Sequence, residues 1–177
     1  MFEDYIQDSF SFYELAEQSS STDERVARMY YRASVFCAAS SLEAFVNFIG
    51  DTFKKGNTID KNEIAFLNDL ALEFSPTKAK IESRTKYYSI DSKVKFILKR
   101  FSVPLDTATA SQWRHFLEFK TLRDSLVHPR NLTDELALTE YKNKIKKGLN
   151  ANIDIMNAIS KKLFSKPLRK SLTDLKI

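Results

Sequence analysis

The sequence predicts an all-α protein, a bundle of about five main helices with long antiparallel helices at its core. Glycine and proline, with three and four copies among 177 residues, are much rarer than their average usage of roughly 7% and 5%. Apolar residues recur at three- and four-residue steps instead of alternating, and the 14 phenylalanines follow the same spacing. Few chain breakers and a helical period together predict long helices and no β-sheet.

A chain of this length fits a single domain, which we assign to residues 1–177. Within it we expect an N-terminal helix in residues 1–20, a helical core in residues 22–165 and a loose basic tail in residues 166–177. The sequence contains no repeat, linker or low-complexity stretch that would divide the core.

The second predicted helix is the most informative element. Thr22 is its expected N-cap, with Asp23 and Glu24 in the first turn, and the helix continues to about Lys54 before Gly56. One side carries a stripe of mostly small residues: Val26, Tyr30, Ala33, Cys37, Ser40, Ala44 and Asn47. Since small residues let another helix approach closely, we expect this helix to be central. Larger apolar residues would fill the adjoining sides: Phe36, Leu42, Phe45, Val46, Ile49 and Phe53.

The middle of the chain is harder to interpret. Apolar residues at helical spacing predict a third helix in residues 60–74. Residues 75–92 then form a basic and aromatic insertion, which could either stack nucleic-acid bases or lie as a surface loop, and we favour the loop. Its basic and aromatic residues are Lys78, Lys80, Arg84, Lys86, Tyr87 and Tyr88.

Three further helices complete the predicted bundle. A short helix in residues 94–101 stops before Pro104, and a strongly apolar helix covers residues 109–127. Because the residue before a proline is pushed out of helical geometry, His128 should lie at the exit of that helix, before Pro129. A last long helix begins near Thr133 and stops at Pro167.

The two ends of the chain have opposite charge, although the net charge is only +5. Residues 1–24 hold seven acidic groups and no basic one, while residues 141–177 hold ten basic and two acidic groups. The basic stretch could hold phosphates electrostatically, or it could be a solvated helix face and a frayed tail. It could also pair with the acidic end, within one chain or between subunits.

The single cysteine, Cys37, can form no disulfide within the chain, which suits a reducing compartment, and we expect it to be a buried small hydrophobe. Residues 1–18 lack the basic start and apolar run of a signal peptide or transmembrane segment. We therefore expect a cytoplasmic protein with no membrane partner.

Several enzyme classes are disfavoured by what the sequence lacks. With two histidines, one cysteine and no HExxH pattern, it predicts no metal site, and without a glycine-rich phosphate loop it predicts no NTPase or kinase. We expect no cofactor. His115, in the middle of a helix beside Trp113 and Arg114, is interpreted as a surface or interface residue.

One segment stands apart from this scaffold. Residues 122–129 read LRDSLVHP, in which Arg123 is followed after four residues by His128, with Asp124 after the arginine and Pro129 after the histidine. Residues 42–47 of the early helix read LEAFVN. These two phrases carry the functional hypothesis.

Together they resemble the HEPN superfamily of helical, nucleotide-associated and ribonuclease domains. In that superfamily an R-x4-6-H motif ends a helix, often with Asn or Asp after the arginine and Pro after the histidine, and bacterial members share an LEAF(I/V)N phrase in the long early helix. The resemblance covers roughly residues 22–165. It implies a metal-independent ribonuclease or RNA-binding domain with Arg123 and His128 in its site.

The residues themselves suit this chemistry. Cleaving RNA without a metal requires a side chain that gains and loses a proton near neutral pH and a fixed cation to stabilise the pentavalent phosphate. His128 and Arg123 are of these two types. On an unbroken helix they would lie about 140° apart and would not converge, but the helix end at Pro129 frees His128 to turn back. The resemblance implies a further device, since HEPN domains commonly pair and join two motifs across a dimer cleft.

Other residues could support the pair. Asp124 could orient Arg123 or His128, or it could face solvent. Glu43 and Asn47 lie one turn apart on one face of the early helix, and Glu43 could pair with Arg123 if the two helices pack together, although a surface carboxylate is equally ordinary. Four residues are candidate contacts for the phosphates of a nucleic acid: Arg130, Asn131, Lys142 and Lys146.

Three hypotheses follow. The first is a metal-independent endoribonuclease of the toxin–antitoxin or antiviral defence type, acting on RNA as a homodimer and accompanied by an antitoxin or defence partner. The second is a catalytically silent module of the same fold that binds nucleic acid, nucleotide or a partner protein. The third is a structural helical dimer, in which Arg123 makes a buried salt bridge and His128 caps its helix.

Overall fold

The computed structural model describes residues 1–56, 59–75, 78, 80–128 and 136–177. These residues form seven helices and one two-stranded sheet, and five of the helices have 11 residues or more. In chain order the elements are α1 (Phe2–Ser19), α2 (Glu24–Gly56), α3 (Lys61–Leu67), β1 (Leu70–Ser75), β2 (Lys80–Thr85), α4 (Ile90–Arg100), α5 (Ser111–Val127), α6 (Leu138–Phe164) and α7 (Lys170–Thr173). The predicted all-α class is confirmed, with one small hairpin added to it.

Helix α2 is central, as predicted, and α1 packs against it in the opposite direction. Near the start of α1 the Phe2 ring lies 5.2 Å from the Phe45 ring, and near its middle the backbone oxygen of Ser9 accepts a hydrogen bond of 2.7 Å from the Ser34 hydroxyl. Residue numbers thus rise along α1 as they fall along α2. The short turn at residues 20–23 has the length typical of such a helical hairpin.

Helices α2 and α6, the two longest, run in the same direction. The Tyr31 ring meets the Tyr141 ring edge to face at 5.8 Å. Further along both helices, the Asn152 amide donates to the Ala38 backbone oxygen at 3.3 Å. The antiparallel arrangement expected of the long core helices therefore holds for α1 with α2 but not for α2 with α6, because the connection through α3, the hairpin, α4 and α5 lets the chain return to its starting end.

The small-residue stripe of α2 is not its buried side. Val26, Ala33 and Ala44 are half-buried and Asn47 is exposed. The fully buried face of α2 lies next to this stripe and is displaced from it by about one residue. That buried face consists of Ala27, Tyr31, Ser34, Val35, Ala38, Leu42, Phe45, Val46 and Ile49. Larger side chains remove more apolar surface from water, so α1 and α6 cover the bulky face and leave the small one at the edge. Phe36, expected to add bulk to the core, is 40% exposed.

Helix α2 begins one residue later than its predicted cap implies. The Asp23 carboxylate accepts the backbone N–H of Val26 at 3.1 Å, the bond that an N-cap side chain makes, and Glu24 is the first helical residue. Thr22 instead lies in the turn, where its hydroxyl donates to the Ser19 backbone oxygen at 3.2 Å. An aspartate at this position adds negative charge near the helix N-terminus, which a threonine does not.

The predicted third helix and the prediction of no sheet are both wrong beyond Leu67. Helix α3 begins with a capping box between Asp60 and Glu63 and ends at Leu67. Residues 70–75 then form β1, which pairs antiparallel with β2 so that Leu70 faces Thr85 and Leu72 faces Ser83. The spacing of the apolar residues in this segment fits a helix and a strand equally, since residues two and four apart share a face of a strand. Of the described residues in the predicted surface loop at 75–92, residues 80–85 form β2, residues 86–89 have no regular structure and residues 90–92 begin α4.

Asp69 explains why the chain turns here. Its φ of 56° lies in the left-handed region, which ends α3 and which aspartate tolerates better than most residues. Its carboxylate binds the Lys93 ammonium at 2.6 Å and accepts the backbone N–H of Tyr88 at 2.8 Å, and its backbone oxygen accepts the N–H of Lys86 at 2.8 Å. Asp69 thereby joins the base of the hairpin to α4.

Helices α5 and α6 pack closely against each other. A Cβ added at Gly148 on α6 would overlap the ring of Phe119 on α5, so the absence of a side chain at Gly148 allows the contact. Helix α6 begins at Leu138 after extended backbone at Ala137, later than the predicted start near Thr133, which lies outside the described residues. It ends at Phe164, where Ser165 adopts a left-handed φ of 55°, shortly before Pro167.

The C-terminal segment is not a loose tail. Leu168 and Leu172 are 6% and 1% exposed, and the segment returns along α6 with the Leu168 N–H bonded to the Asn157 side chain at 3.0 Å. Near its end, Lys176 pairs with Asp154 at 2.8 Å. The many lysines suggested fraying, but two leucines on one side of a short helix are enough to dock it.

The opposite charges of the two ends pair within the chain. Glu17 on α1 forms an ion pair with Lys142 on α6, and Glu3 pairs with Arg169 at 3.0 Å. Of the alternatives left open by the charge distribution, intramolecular pairing is the one that these two contacts support. One of these ion pairs links α1 to the start of α6, and the other links it to the C-terminal segment.

Helix α2 is also long and apolar enough to cross a membrane by length and composition. Half of its most apolar window is buried inside the protein. A central helix of a bundle has the same properties, so this helix carries no argument for a membrane.

Candidate functional site

The R-x4-H segment occupies the last turn of α5. Trp113, Phe116, Phe119 and Leu122 bury the inward side of this helix. Arg123 follows the last of these buried residues, so its side chain emerges at the edge of the packed face and is 34% exposed. The buried side of α5 thus sets the direction in which the arginine points.

Arg123 is held between two carboxylates. One terminal nitrogen lies 3.1 Å from Oδ1 of Asp124, and the other lies 3.5 Å from Oε1 of Glu43 on α2. The second contact is the one anticipated from the LEAFVN and LRD phrases, and it exists because α2 and α5 pack together. The guanidinium has five N–H donors, and these two contacts use only two of them.

The contacts of Arg123 extend into a row of alternating charges that joins three helices, which we name the charge chain: Asp91, Lys120, Asp124, Arg123 and Glu43. Lys120 donates to Oδ2 of Asp124 at 2.8 Å and lies 3.7 Å from Oδ1 of Asp91 at the start of α4. Asp124 therefore binds one cation with each oxygen. The alternative that Asp124 only faces solvent is therefore wrong.

The charge chain favours the ionised form of its members. Burial alone would raise the pKa of the Asp124 carboxyl, but the hydrogen bonds from Lys120 and Arg123 outweigh burial and hold the pKa below its usual value. The same hydrogen bond to Asp124 raises the pKa of Lys120. Both groups are therefore charged at neutral pH, and Arg123 keeps a negative neighbour.

His128 lies at the helix exit, as predicted. Its backbone N–H still donates to the Asp124 backbone oxygen at 2.9 Å, while its φ of −126° and ψ of 70° have left the helix. The side chain is exposed, and it forms no hydrogen bond or ion pair with the part of the chain that the structure describes. An imidazole in this position is open to solvent and to a ligand. Its convergence with Arg123 stays a prediction.

The other predicted site residues do not all join this cluster. Asn47 is one turn beyond Glu43 and lines a groove of about 720 Å³ between α1, α2 and the C-terminal segment, away from the guanidinium. Lys142 forms an ion pair with Glu17, whereas Lys146 is exposed, and the role of both in binding phosphates stays a prediction. Arg130 and Asn131 lie outside the described residues.

Two further residues considered in the sequence analysis, His115 and Cys37, are both half-buried. His115 is half-buried on α5, which fits a surface or interface position. Cys37 is half-buried and not fully buried, and desolvation raises the pKa of its thiol, which makes it a poor nucleophile. Among the described residues no group of three or more His, Cys, Asp or Glu side chains is placed to hold a metal ion.

Sequence reasoning missed Lys120 and Asp91. Lys120 could have been found, because it stands four residues before Asp124 on a predicted helix, the spacing of an intrahelical ion pair. Asp91 gave no such signal, since it reaches Lys120 only through the packing of α4 against α5. The hairpin anchor formed by Asp69 and Lys93 was missed for the same reason.

Fold and site together define a helical protein with an arginine held by carboxylates and an exposed histidine at one helix exit. No protein-family model, curated protein or solved structure matches the chain. The function is therefore argued from the site itself.

Proposed function

We propose that the protein is a metal-independent endoribonuclease that acts as a homodimer in the cytoplasm, in a toxin–antitoxin or antiviral defence setting. Arg123 stabilises the charge of the reacting phosphate, and His128 transfers protons. Asp124 and Glu43 position the guanidinium. The resemblance of the two sequence phrases to HEPN domains supplies the reaction class.

One observation carries the proposal: Arg123 is oriented by two carboxylates at an exposed helix exit, five positions from an exposed histidine. An arginine that served only to stabilise the fold would be expected to direct most of its donors to protein groups. Here two contacts hold the guanidinium in place and leave its other N–H groups for a phosphate. Such preorganised donors lower the energy of a transition state without having to reorganise.

The reaction balances with the groups at hand. The 2′-oxygen of a ribose forms a bond to phosphorus as its proton passes to one His128 imidazole. The bond from phosphorus to the 5′-oxygen breaks, and that oxygen takes a proton from a second, protonated His128. The products are a 2′,3′-cyclic phosphate and a 5′-hydroxyl, and no metal is required.

A second copy of the chain supplies the second histidine. A single His128 cannot accept one proton and donate another in the same step, whereas two copies facing each other provide both roles. Two exposed helix exits can approach without unfolding either subunit. The dimer is therefore part of the proposed mechanism.

One observation favours the alternative, a silent module that binds nucleic acid, nucleotide or a partner protein. The charge chain contains three acidic and two basic members, so its formal charge is negative where a phosphate would approach. Electrostatic attraction of RNA must then come from other surfaces. A protein that binds with those surfaces and leaves Arg123 in its ion pairs would not cleave.

The test is cleavage of transfer RNA and messenger RNA by the purified protein with EDTA present. Arg123→Ala and His128→Ala variants, shown to be folded, are compared with His115→Ala, which removes the other histidine of α5. Cleavage by the wild type and by His115→Ala, with losses of at least 100-fold in the other two, supports the ribonuclease. Cleavage that survives His128→Ala contradicts the mechanism. RNA binding without any cleavage moves the assignment to the silent module.

A further inference from the structure

Tyr87 is the most exposed of the seven tyrosines, and the backbone on both sides of it is held by hydrogen bonds. The ring is 86% exposed, although a tyrosine without a partner would ordinarily lie against the protein surface. Its neighbours on both sides are held by one residue, because Lys86 donates its backbone N–H to the Asp69 backbone oxygen and Tyr88 donates its own to the Asp69 carboxylate, both at 2.8 Å. The chain thus presents the ring from a fixed position.

The clamp itself is rigidly anchored. Asp69 binds the buried ammonium of Lys93 at 2.6 Å, and the Tyr88 ring packs on Phe66 with centroids 4.5 Å apart. Tyr88 therefore contributes to packing, while Tyr87 does not. An exposed tyrosine on a fixed backbone has only two side-chain torsions to order when it binds a ligand, which is how binding surfaces use tyrosine.

Two cations continue from this ring along α4. Lys95 and Lys99 follow Asp91 at four-residue steps, which places all three on one side of the helix. Both lysines are exposed, and neither forms an ion pair with the residues that the structure describes. Of the other cations that the structure describes in this region, Lys78, Arg84 and Arg100 each pair with a glutamate, and Lys93 pairs with Asp69. The ammonium of Lys86 lies 5.3 Å from the centre of the Tyr88 ring.

This surface adjoins the candidate site. Asp91 at the start of α4 lies 3.7 Å from Lys120, which bonds Asp124, which in turn bonds Arg123. Tyr87 lies in the segment that leads from β2 into the start of α4, close in the chain to Asp91. A strand of nucleic acid at Arg123 could therefore continue across Lys120 onto α4 and the clamped tyrosine.

We propose that Tyr87, Lys95 and Lys99 form a binding surface for unpaired RNA, in which the tyrosine stacks on a base and the lysines contact flanking phosphates. We name these three residues the strand platform. It rests on the proposed function of the neighbouring site, and it supplies the positive charge that the charge chain lacks. Stacking on an isolated ring requires a base that is not paired, so the substrate class is single-stranded RNA and not a duplex.

The test measures binding separately from cleavage. The probe is a fluorescent, unstructured oligonucleotide with 2′-O-methyl riboses, which has no 2′-hydroxyl to react, and it is compared with the same strand in a duplex. Binding is measured by anisotropy over a range of salt concentrations. The variants are Tyr87→Ala, Tyr87→Phe and Lys95→Ala/Lys99→Ala, with Lys161→Ala/Lys162→Ala on exposed positions of α6 as the control of equal charge.

We expect Tyr87→Ala to weaken binding of the single strand on the order of 10-fold, and Tyr87→Phe to bind like the wild type. The double lysine variant should lower the slope of log K against log salt by about 1.4, since each phosphate contact on a single strand contributes roughly 0.7. The proposal would be overturned if Tyr87→Ala bound the single strand as tightly as the wild type, or if the protein bound the duplex more tightly than the single strand. It would also be overturned if the Lys161/Lys162 control lowered the salt slope as much as the Lys95/Lys99 variant does.

The strand platform and the catalytic proposal fail in different ways. If the oligonucleotide binds as expected but natural RNA is not cleaved, the platform stands and the endoribonuclease does not. If RNA is cleaved while the Tyr87 and lysine variants bind and cleave like the wild type, the site stands and the platform does not.

Discussion

Arg123 on α5 and Glu43 on α2, 80 positions apart in the chain, meet with a nitrogen–oxygen distance of 3.5 Å. The arginine is 34% exposed and the glutamate 50% exposed, so water screens the pair. This exposure matters for function, because it separates an arginine that is oriented for a ligand from one that is buried to stabilise the fold.

Removing the pair should therefore cost little stability. A double-mutant cycle with Glu43→Ala and Arg123→Ala should give a coupling of less than about 1 kcal/mol in urea denaturation, as exposed ion pairs do. Glu43→Gln serves as the control that keeps the shape. A coupling of about 3 kcal/mol or more would identify a structural salt bridge. It would favour the hypothesis of a structural helical dimer, in which Arg123 does not contact RNA.

The pair of Asp69 and Lys93 should behave oppositely, because the lysine side chain is only 7% exposed. Asp69→Asn leaves the ammonium without a carboxylate, and we expect a loss of about 3–5 kcal/mol in the free energy of unfolding. The double variant Asp69→Asn/Lys93→Met should recover most of that loss, since no charge is then buried. Equal instability of the single and double variants would mean that the unpaired buried charge of Lys93 is not the cause of the loss.

Two glycines in long helices provide a matched comparison. A Cβ at Gly148 would overlap the Phe119 ring, so Gly148→Ala should destabilise the protein by about 1–3 kcal/mol despite the better helix propensity of alanine. A Cβ at Gly50 would meet Leu67 at 3.4 Å, an ordinary contact, so Gly50→Ala should stabilise it by about 0.5–1 kcal/mol. Thermal unfolding of both variants measures the difference. A stabilising Gly148→Ala would contradict the close packing of α5 on α6.

Two buried tyrosines differ in what their hydroxyls bind. The Tyr31 hydroxyl donates to the Glu17 carboxylate, whereas the Tyr141 hydroxyl is buried without a hydrogen-bond partner among the described residues. Tyr141→Phe should leave stability unchanged or raise it by up to about 1 kcal/mol, and Tyr31→Phe should lower it by about 1.5–3 kcal/mol. Similar losses in both variants, measured by urea denaturation, would indicate that Tyr141 has a partner too.

The raised pKa of Tyr141 predicts how the stability of the protein changes at alkaline pH. Burial raises the pKa of Tyr141 from 10.0 to about 12, so the folded protein holds this proton more tightly than the unfolded chain does. The resulting stability is fully present below pH 10 and is lost as the pH rises toward 12. Tyr141→Phe should flatten this part of the curve of unfolding free energy against pH. An unchanged curve would show that other groups, such as Tyr13, govern alkaline unfolding.

The order of the main helices and the helix exit at His128 could be predicted because they depend on local properties. The central position of α2 was predicted from its small-residue stripe, which is not the side that the structure buries. Periodicity, rare glycines and the effect of Pro129 on the preceding residue act over a few positions. Where local patterns were ambiguous, the predictions failed, as at Leu70 and Phe74, whose four-residue spacing fits a strand as well as a helix. The docked C-terminal segment was missed because two leucines among many lysines give a weak signal.

The sequence by itself determined the helical class, the candidate pair of Arg123 and His128, and the possibility that Glu43 reaches the arginine. Only the tertiary structure decided which face of α2 is buried, that Lys120 and Asp91 complete the charge chain, and that Asp69 presents Tyr87 at the surface. Helix formation depends on residues within one turn of each other, whereas these contacts depend on how separate helices pack, and packing is decided by the burial of the whole apolar surface.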